Sequence, residues 1–318
     1  MTDEEKRAEH PERAGTVALI GRTNVGKSTL MNGALALPLA ITSRKPQTTR
    51  ERLLGVVRHG GAEIGLLDTP GLHRPRTRLG KEMNRAARGA VAEADVVVFV
   101  AALPTRPRGE LRPHPADLRL LGQMPEDRPV VLVINKIDLL KDKPLLLPLI
   151  VAYSECRELS AVVPISALRE DGISRVLDEV AKLLPEGAPV HSEDHVTNRP
   201  MRYFAAEYVR EGVLAATGQE VPHAVAVTVD EFCESADGGL TEIAVTIHVE
   251  TVGQKRIIIG QGGKVTKRIG TSARARIEEL LGQHVHLKIW VRVTKQWRDR
   301  PERLADFGLL DGADGTGR

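Results

Sequence analysis

Short apolar runs alternate with amphipathic stretches over the first 185 residues of the chain. Runs such as Val-Val-Val-Phe-Val at 96–100 are apolar throughout, which is typical of strands buried on both faces of a mostly parallel sheet. The predicted strands are Val17–Ile20, Leu53–Arg58, Ile64–Leu67, Val96–Ala101, Val130–Ile134 and Val162–Ile165, and the predicted helices are 27–36, 80–93, 115–123, 141–152 and 172–184. This alternation predicts a doubly wound α/β domain over 15–185, with ligands at the carboxyl ends of its strands.

A different order of elements follows residue 200. The predicted elements are a helix at Tyr203–Ala216, strands at Val225–Phe232 and Leu240–Glu250, a short helix ending near Ile259, a basic helix ending near Leu281 and a strand at Val285–Val293. This order predicts an α+β domain of the type II KH fold over 201–294.

The remaining segments are assigned by composition. Proline, glycine and polar residues make 186–200 a predicted linker, and the Pro/Arg-rich stretch 103–115 is a predicted surface loop. Residues 1–14 are predicted to be a disordered charged tail, and 295–318 a short helix near Trp297–Leu304 followed by a fraying end.

Composition narrows the class of protein. The length of 318 residues suits about two domains, and apolar residues make up 42% but aromatic ones only 3%, so aliphatic side chains must fill the core. Cys156 and Cys233 are far apart in sequence, which indicates neither a disulfide framework nor a zinc site. The N-terminus lacks the apolar core of a signal peptide, and the longest apolar run, Leu145–Ala152, contains Pro148 and is too short to span a bilayer. These features predict a soluble cytoplasmic protein.

A phosphate-binding motif follows the first predicted strand. The pattern Gly-x-x-x-x-Gly-Lys-Ser lies between a strand and a helix, which is the context that such a loop needs. Its residues are Gly21, Arg22, Thr23, Asn24, Val25, Gly26, Lys27 and Ser28. Lys27 is predicted to reach the β- and γ-phosphates and Ser28 to ligate Mg²⁺. The plainer interpretation is a glycine turn that fits by chance, and the segments that follow make it less favourable.

Four further polar segments follow predicted elements in order, at Lys45–Arg50, Asp68–Gly71, Asn135–Asp138 and Ser166–Leu168. A threonine of the first can complete the Mg²⁺ shell, and Asp68 can hold Mg²⁺ through water. The carboxylate of Asp138 can accept two hydrogen bonds from guanine, whereas adenine offers no such donor pair. Each segment alone is an ordinary loop or turn, but together they predict a GTP-binding domain. The nucleotide-binding residues predicted beyond the phosphate loop are Asp68, Thr69, Pro70, Gly71, Leu72, Asn135, Lys136, Ile137, Asp138, Ser166, Ala167 and Leu168.

Two residues of the predicted site bear on hydrolysis. Leu72 follows Gly71 where Ras-like enzymes carry the glutamine that positions water, so we expect slow intrinsic hydrolysis. Asn24 lies where a side-chain oxygen can hold a monovalent cation beside the phosphates. We therefore hypothesise a K⁺ site at Asn24; the plainer alternative is that Asn24 only shapes the loop.

A Gly-x-x-Gly turn and a basic patch mark the second domain. Between residues 252 and 300, twelve basic and three acidic side chains give a net charge of +9, against +3 for the whole chain. Gly-x-x-Gly turns between two helices clamp nucleic-acid backbones, and concentrated positive charge attracts phosphate. A solvated basic helix face is the plainer alternative. The predicted RNA-binding residues are Lys255, Arg256, Ile259, Gly260, Gln261, Gly262, Gly263, Lys264, Lys267, Arg268 and Arg274.

From about residue 15 to 308 the sequence resembles Era-type GTPases. The segments that carry the resemblance are 21–28, Ile41–Arg50, Asp68–His73, 135–138, Val163–Leu168, Asp194–Pro200 and Ile257–Lys264. The chain departs from the family at Thr23, where proline is usual, at the turn centre Gln261-Gly262, which lacks a basic residue, and in the loop 103–115.

The resemblance implies a Ras-like P-loop GTPase domain followed by a KH domain that binds small-subunit (16S) ribosomal RNA near its 3′ end and assists assembly of the small subunit. It implies Mg²⁺ held by Ser28, Thr49 and Asp68, with Thr48 as second choice for the threonine, and a catalytic set of Lys27, Thr49, Asp68 and Gly71. We expect a monomer with peripheral contact to the inner face of the cell membrane.

Three other functions stay open at this point. A membrane-surface signalling GTPase would use the basic domain to bind anionic lipid. A P-loop small-molecule kinase would prefer ATP, against the expectation from Asp138. A passive RNA-binding module would hold nucleotide only for stability, and its RNA affinity would be the same with GTP and GDP.

Overall fold

The computed structural model describes residues 12–43, 45, 47–104, 111–218, 221, 224–234 and 239–310. The chain divides into two compact units. The first holds the described residues up to Ala40, then Thr49–His73 and Met83–Asn198, and the second holds Ile41–Thr48, Arg74–Glu82 and the described residues from Arg199 onward. The predictions for residues 1–11, 105–110, 235–238 and 311–318, and for Arg44 and Pro46, fall outside the described residues.

The first unit is built on a six-stranded sheet in the order β2-β3-β1-β4-β5-β6. Its strands are β1 Arg13–Ile20, β2 Leu53–His59, β3 Ala62–Asp68, β4 Val96–Ala102, β5 Val130–Asn135 and β6 Ala161–Pro164. Among these strands β2 alone runs antiparallel to its neighbour, because the tight turn at Gly60-Gly61 joins it directly to β3. The predicted mostly parallel α/β sheet is confirmed.

Helices cover the sheet of the first unit. They are α1 Lys27–Leu35, the part of α2 (Arg78–Glu93) from Met83 onward, α3 Pro115–Leu121, α4 Leu146–Ser154 and α5 Ile173–Leu183. Every residue from Val96 to Ala101 is at most 1% exposed, which explains why the strand is an unbroken apolar run. Aliphatic side chains make up most of the core around it, as the low aromatic content required.

Three predictions for the first unit need correction. Arg13 and Ala14 were assigned to the disordered tail but belong to β1, where they pair with Ala62 and Glu63 of β3. The helix expected over 141–152 begins only at Leu146, because Pro144 lies in a preceding turn of 3₁₀ helix. The stretch 103–115 is not wholly a surface loop, since Leu103 and Leu111 are buried in the core and Pro115 begins α3.

The second unit contains a three-stranded sheet in the order β7-β8-β9. Its elements are α6 Met201–Ala216, β7 Ala226–Glu234, β8 Leu240–Val249, α7 Val252–Ile259, α8 Lys264–Leu281, β9 His284–Val293 and α9 Pro301–Asp306. β7 pairs antiparallel and β9 parallel with β8, which confirms the predicted KH fold. Thr251 and Gln254 form a reciprocal capping box that starts α7, a signal that the apolar pattern alone did not show.

The predicted linker runs along β2. Residues 186–200 form no regular helix or strand, but Val196 accepts a hydrogen bond from the Val56 N–H at 2.8 Å, and Thr197 donates to the Leu54 carbonyl at 2.7 Å. These bonds tie the segment to the edge of the first unit's sheet.

Within the described ranges, no helix has both the length and the apolar character needed to cross a membrane.

Candidate nucleotide and nucleic-acid sites

The phosphate loop connects the carboxyl end of β1 to the first residue of α1. Gly26, the residue before the helix, has φ 103°, and a Cβ there would lie 2.3 Å from the Asn135 side-chain nitrogen. Only glycine fits both the left-handed backbone and this close approach. The loop therefore presents backbone N–H groups and a helix N-terminus toward one point at the edge of the sheet.

Lys27 is held inside this loop. Its side chain is 6% exposed, and its ammonium donates to the carbonyls of Gly21 at 3.2 Å and Arg22 at 3.1 Å. Burial lowers the pKa of Lys27 to about 8, with the charge of Asp68 opposing the shift. A buried ammonium that donates to neutral carbonyls is positioned to gain strongly from an anionic ligand.

Three oxygen-bearing side chains meet beside Lys27. Ser28 Oγ lies 2.6 Å and Thr49 Oγ1 3.1 Å from Asp68 Oδ2, and the two hydroxyls are 2.9 Å apart. Asp68 is fully buried, its other carboxylate oxygen has no hydrogen-bond partner among the described residues, and burial raises the pKa of its carboxyl group. A cluster of hard oxygen donors around a buried carboxylate is the kind of site that Mg²⁺ prefers.

The structure separates Thr49 from the second choice, Thr48. The Thr48 hydroxyl donates to the Lys45 carbonyl at 2.8 Å, whereas the Thr49 hydroxyl lies in the oxygen cluster. Thr69 is fully buried and its hydroxyl donates to the Leu19 carbonyl at 2.7 Å, so this side chain ties the end of β3 to β1.

The Asp68–Gly71 segment returns to the phosphate loop. The N–H of Leu72 donates to the Gly21 carbonyl at 3.2 Å, which places Gly71 directly beside the loop. Asn84 donates to the His73 carbonyl at 2.8 Å, and the His73 ring lies 3.0 Å from the Gly71 carbonyl. This brace by Asn84 was not visible in the sequence, because Asn84 lies within the predicted helix 80–93.

Asn135 joins three of the predicted segments. Its amide nitrogen donates to the Val25 carbonyl at 2.8 Å, and its oxygen accepts from the N–H of Lys136 at 2.7 Å and of Ala167 at 3.0 Å. The Lys136 ammonium donates to the Asn24 carbonyl at 2.7 Å. The ends of β1, β5 and β6 are thereby fixed to one another, as the predicted arrangement of strand ends required.

Asp138 faces the Ser166–Leu168 segment. Ser166 Oγ donates to Asp138 Oδ1 at 2.6 Å, so the carboxylate is held in one orientation, while Ala167 is buried. Leu168 is different, since its side chain is 80% exposed. Of these residues, Asp138 is the one whose polar side chain is held in place for the predicted contact with guanine.

One group beside the phosphate loop was missed by sequence reasoning. The Arg22 guanidinium donates two hydrogen bonds, at 2.6 and 3.0 Å, to the fully buried carboxylate of Asp117 at the start of α3. Tyr153 also donates to that carboxylate at 3.3 Å, and burial together with the Asp117 charge raises the pKa of the Tyr153 hydroxyl. Asp117 lies 95 residues from Arg22, so no local sequence motif indicated this ion pair.

In the second unit, the Gly-x-x-Gly turn connects α7 to α8. Gly260 has φ 70°, and a Cβ there would lie 2.4 Å from Val265 Cγ2, whereas added Cβ atoms on Gly262 and Gly263 would meet nothing within 4 Å. The turn is closed toward α8 and open toward solvent, which leaves its backbone accessible to a strand of nucleic acid.

An open groove of about 750 Å³ lies between α7, α8 and β9. Its basic lining residues are Lys255, Lys267 and Arg274, and Ile259 and Gly263 also line it. The predicted residues Arg256, Gln261, Gly262 and Lys264 are exposed at or beside the turn.

Arg268, a member of the predicted RNA-binding set, also makes a contact within the second unit. Its guanidinium donates to the Ala216 carbonyl at 2.8 Å and so caps the end of α6. This side chain therefore has a role within the fold of the second unit.

Two family models match the chain. The family described as "50S ribosome-binding GTPase" matches residues 16–136, and the family described as "KH domain" matches residues 220–298. The curated GTPase Era of Xanthomonas campestris pv. campestris (strain B100) is 43% identical over 299 residues, which cover 94% of this chain and 98% of that protein.

The chain belongs to the Era family of GTPases. A second relative, the GTPase Era of Geobacter metallireducens, is 44% identical over 301 residues, covering 95% of this chain and 99% of its own length. The identity extends across both units, and this chain is therefore a GTPase. The resemblance inferred from the sequence segments is thereby confirmed, and the small-molecule kinase alternative is not favoured.

Solved Era structures show the same architecture. A crystal structure of Era in complex with MgGDPNP and nucleotides 1506–1542 of 16S ribosomal RNA has a TM-score of 0.88 and 38% identity, and the match covers 94% of this chain and 99% of that one. A variant of Aquifex aeolicus Era bound to GDP and AlF₄⁻ gives the same TM-score, identity and coverage. The Era-family chain thus has the two-unit fold of its structural relatives.

Proposed function

We propose that this Era-family GTPase is a molecular switch that binds GTP with Mg²⁺, binds 16S ribosomal RNA near its 3′ end and assists assembly of the small ribosomal subunit. The observation that carries the proposal is that one chain holds both the Ser28–Thr49–Asp68 oxygen cluster and a groove lined by basic residues beside an open Gly-x-x-Gly turn. The likeness to Era in complex with MgGDPNP and 16S rRNA nucleotides supports both ligands.

The residues of the nucleotide site fit Mg²⁺. Ser28 and Thr49 would supply hydroxyl oxygens and Asp68 the carboxylate, whose buried oxygen without a hydrogen-bond partner suits a coordinating role. When bound, the ion neutralises the negative charge that the β- and γ-phosphates carry during transfer. Lys27 would bind the same phosphates, and the N–H of Gly71 would fix the γ-phosphate.

Coupling between nucleotide and RNA can be traced along residues 45–49. Within the second unit, the Lys45 ammonium donates to the carbonyls of Leu214 and Thr217 at the end of α6, and Arg210 donates to the Thr48 carbonyl. The next residue, Thr49, bonds to Asp68. A ligand that moves the Thr49 hydroxyl would strain or release these contacts to α6, which gives the two nucleotide states different effects on the KH unit.

Monovalent cations provide a test of the hydrolysis mechanism. We propose that GTP hydrolysis is slow, because Leu72 replaces a water-positioning glutamine, and that K⁺ at Asn24 accelerates it. The Asn24 carbonyl accepts from Lys136, which fixes the loop position. Exchanging Na⁺ for K⁺ at constant ionic strength should raise the steady-state rate of phosphate release by roughly tenfold, equivalent to about 1.4 kcal/mol of barrier. Asn24→Ala should remove the difference, and equal rates in both salts for the unaltered protein would end the K⁺ proposal.

RNA binding tests the proposed function directly. An oligonucleotide with the 3′-end sequence of 16S rRNA should bind more tightly in the presence of a non-hydrolysable GTP analogue than with GDP, by at least about fivefold for a coupling of about 1 kcal/mol. Binding is measured by fluorescence anisotropy at one stated salt concentration, because phosphate contacts are strongly salt-dependent.

A scrambled strand of equal length and composition is the control for that measurement. Gly262→Asp is a matched variant, since its side chain meets open space and adds a negative charge where phosphate should lie, and aspartate is among the residues that best tolerate the left-handed backbone at φ 58°. It should weaken RNA binding while nucleotide binding stays intact. Equal affinity for the scrambled strand would reject sequence-selective recognition, and equal affinity in both nucleotide states would favour the passive RNA-binding module.

We further propose that the protein acts as a monomer in the cytoplasm, with peripheral contact to the cell membrane. The net charge of +9 over residues 252–300 supports attraction to any polyanionic surface, RNA or lipid. Since the structural relative with the same two units is a complex with 16S rRNA, RNA is the favoured partner over the alternative of a lipid-binding signalling GTPase.

A further inference from the structure

One of the two tryptophans of the chain is largely exposed. Trp290, in β9, has 64% of its surface accessible, whereas Trp297 is fully buried and its indole N–H donates to the Ala224 carbonyl at 3.0 Å. Leaving most of an indole in water forfeits the stabilisation that burying so large an apolar group provides. Trp297 thus has a structural role in the core, and core packing does not account for Trp290.

Trp290 lies on the face of the three-stranded sheet that is opposite to α8. Side chains alternate along β9, and Ile289 points toward α8, where its Cδ1 would lie 3.3 Å from a Cβ added to Gly270. Trp290 therefore points away from that helix. On the same face, two positions before and after it, are Lys288 and Arg292, both exposed. Residues with this spacing lie about 7 Å apart, so a cation flanks the indole on each side.

The C-terminal segment covers part of this face but not Trp290. The ring of Phe307 packs on His248, at 4.5 Å between centroids, and on Trp297, at 5.5 Å. His248 pairs with Arg292 across the two strands, so this cover lies at the end of β9 beyond Trp290. We call the part of this face around Lys288 and Trp290 the open face.

The strand that carries the exposed indole also lines the groove. β9 is an edge strand, and it contributes His286, Leu287, Ile289, Trp290 and Val291 to the lining. The basic residues of the lining lie on α7 and α8. Trp290 is therefore shared between the groove and the open face. A single strand that leaves the groove across the edge of β9 passes from the basic helices to the indole.

The surroundings of Trp290 favour a stacked base over a lipid. Its partner on β8 is the polar Thr246, and the carboxylates nearby are already engaged, since Glu242 lies 3.4 Å from the Lys288 ammonium and Asp230 accepts from Thr246 at 2.6 Å. A single ring among polar groups offers no apolar patch to insert into hydrocarbon, but one ring is all that a base needs to stack on.

We propose that Trp290 is a stacking platform for one unpaired base of the RNA strand that the groove holds, with Lys288 and Arg292 contacting the adjoining phosphates. This inference rests on the proposed function, and it extends the RNA contact around the edge of β9 to the open face of the sheet. Stacking on an aromatic ring tolerates any base, so Trp290 contributes affinity and register, while base choice is left to the groove.

The test uses the full-length protein and the 16S rRNA 3′-end oligonucleotide. Trp290→Ala should weaken RNA binding by roughly 5- to 150-fold, the range found for the loss of one base–aromatic stack, and Trp290→Phe by less. The slope of affinity against salt concentration should not change for either variant, because no phosphate contact is removed. Lys288→Ala, in contrast, should lower that slope by about one.

Tryptophan fluorescence gives a second readout. Trp290 should account for the fraction of emission that a soluble collisional quencher reaches, since Trp297 is buried. The RNA should quench that fraction and protect it from the quencher, and Trp290→Phe should remove both effects. Val252→Ala is the matched control, because Val252 is 57% exposed on α7 and lies outside β9; it should bind RNA like the unaltered protein.

The outcomes separate this inference from the proposed function. If the unaltered protein fails to bind the RNA, the proposed function fails. If it binds the RNA, but Trp290→Ala and Trp290→Phe bind equally well and the emission does not respond, only the stacking proposal is overturned. Vesicles of anionic phospholipid form a further arm: loss of vesicle binding in Trp290→Ala with unchanged RNA binding would overturn it in favour of a lipid contact.

Discussion

Replacing Lys27 with alanine is expected to abolish GTP binding. The ammonium is buried and donates to the neutral carbonyls of Gly21 and Arg22, so an arriving phosphate gives it an anionic hydrogen-bond partner. Truncating one partner of a buried charged pair costs about 2–5 kcal/mol or more, which corresponds to a loss of affinity of roughly 30- to 5,000-fold. Isothermal titration calorimetry with GTP and with GDP measures the change.

The same substitution should not lower the stability of the nucleotide-free protein toward unfolding. Because burial lowers the folded-state pKa of Lys27 to about 8, the charged ammonium destabilises the fold at pH values below 8, and this penalty fades as the pH rises toward the unfolded value of 10.5. Lys27→Ala removes the penalty, so without nucleotide its unfolding temperature at pH 7 should not fall. The matched control is Lys182→Ala, an exposed lysine on α5. Tight GTP binding by Lys27→Ala would refute the assignment of the phosphate loop.

Replacing Asp138 with asparagine is expected to shift base preference from guanine to xanthine. The carboxylate can accept from both the N1–H and the amino group of guanine, whereas an amide presents one acceptor and one donor. Xanthine carries an oxygen in place of the amino group and matches that pair. Losing two hydrogen bonds to a charged group costs about 3–6 kcal/mol, so GTP affinity should fall roughly 10²- to 10⁴-fold. Competition of GTP, XTP and ATP against a fluorescent guanine nucleotide measures the preference.

The hydrogen bond from Ser166 makes Asp138→Asn a clean test. Ser166 Oγ donates to Asp138 Oδ1, and the amide oxygen of asparagine can accept the same bond, so the local structure should persist. Asp142→Asn is the control, because Asp142 lies in the same stretch of chain and is exposed. An unchanged preference for GTP in Asp138→Asn would show that another group reads the base.

Much of the first unit followed from local patterns. The unbroken apolar run at Val96–Ala101 can bury all its side chains only between two helical layers. The glycines of the phosphate loop allow a backbone conformation that other residues rarely adopt. Because parallel strands end at one edge of a sheet, motifs that are distant in sequence had to meet there. The cluster of Ser28, Thr49 and Asp68 is the result.

Other features depend on partners that no local pattern specifies. Arg13 and Ala14 belong by composition to the charged N-terminal segment, but in the structure they pair with β3. The guanidinium of Arg268 donates to the carbonyl of Ala216, a partner 52 residues away in the chain. The same holds for Thr69, whose hydroxyl donates to Leu19.

The sequence by itself determined the order of elements, the two folds and the motifs proposed to bind the nucleotide, because each depends on periodicity or on patterns a few residues long. Only the tertiary structure decided which threonine joins Asp68, that Asp117 and Tyr153 brace Arg22, and that Trp290 stays exposed while Trp297 is buried. These depend on contacts between residues far apart in the chain, whose geometry is set by packing of the whole unit and not by any neighbouring residue.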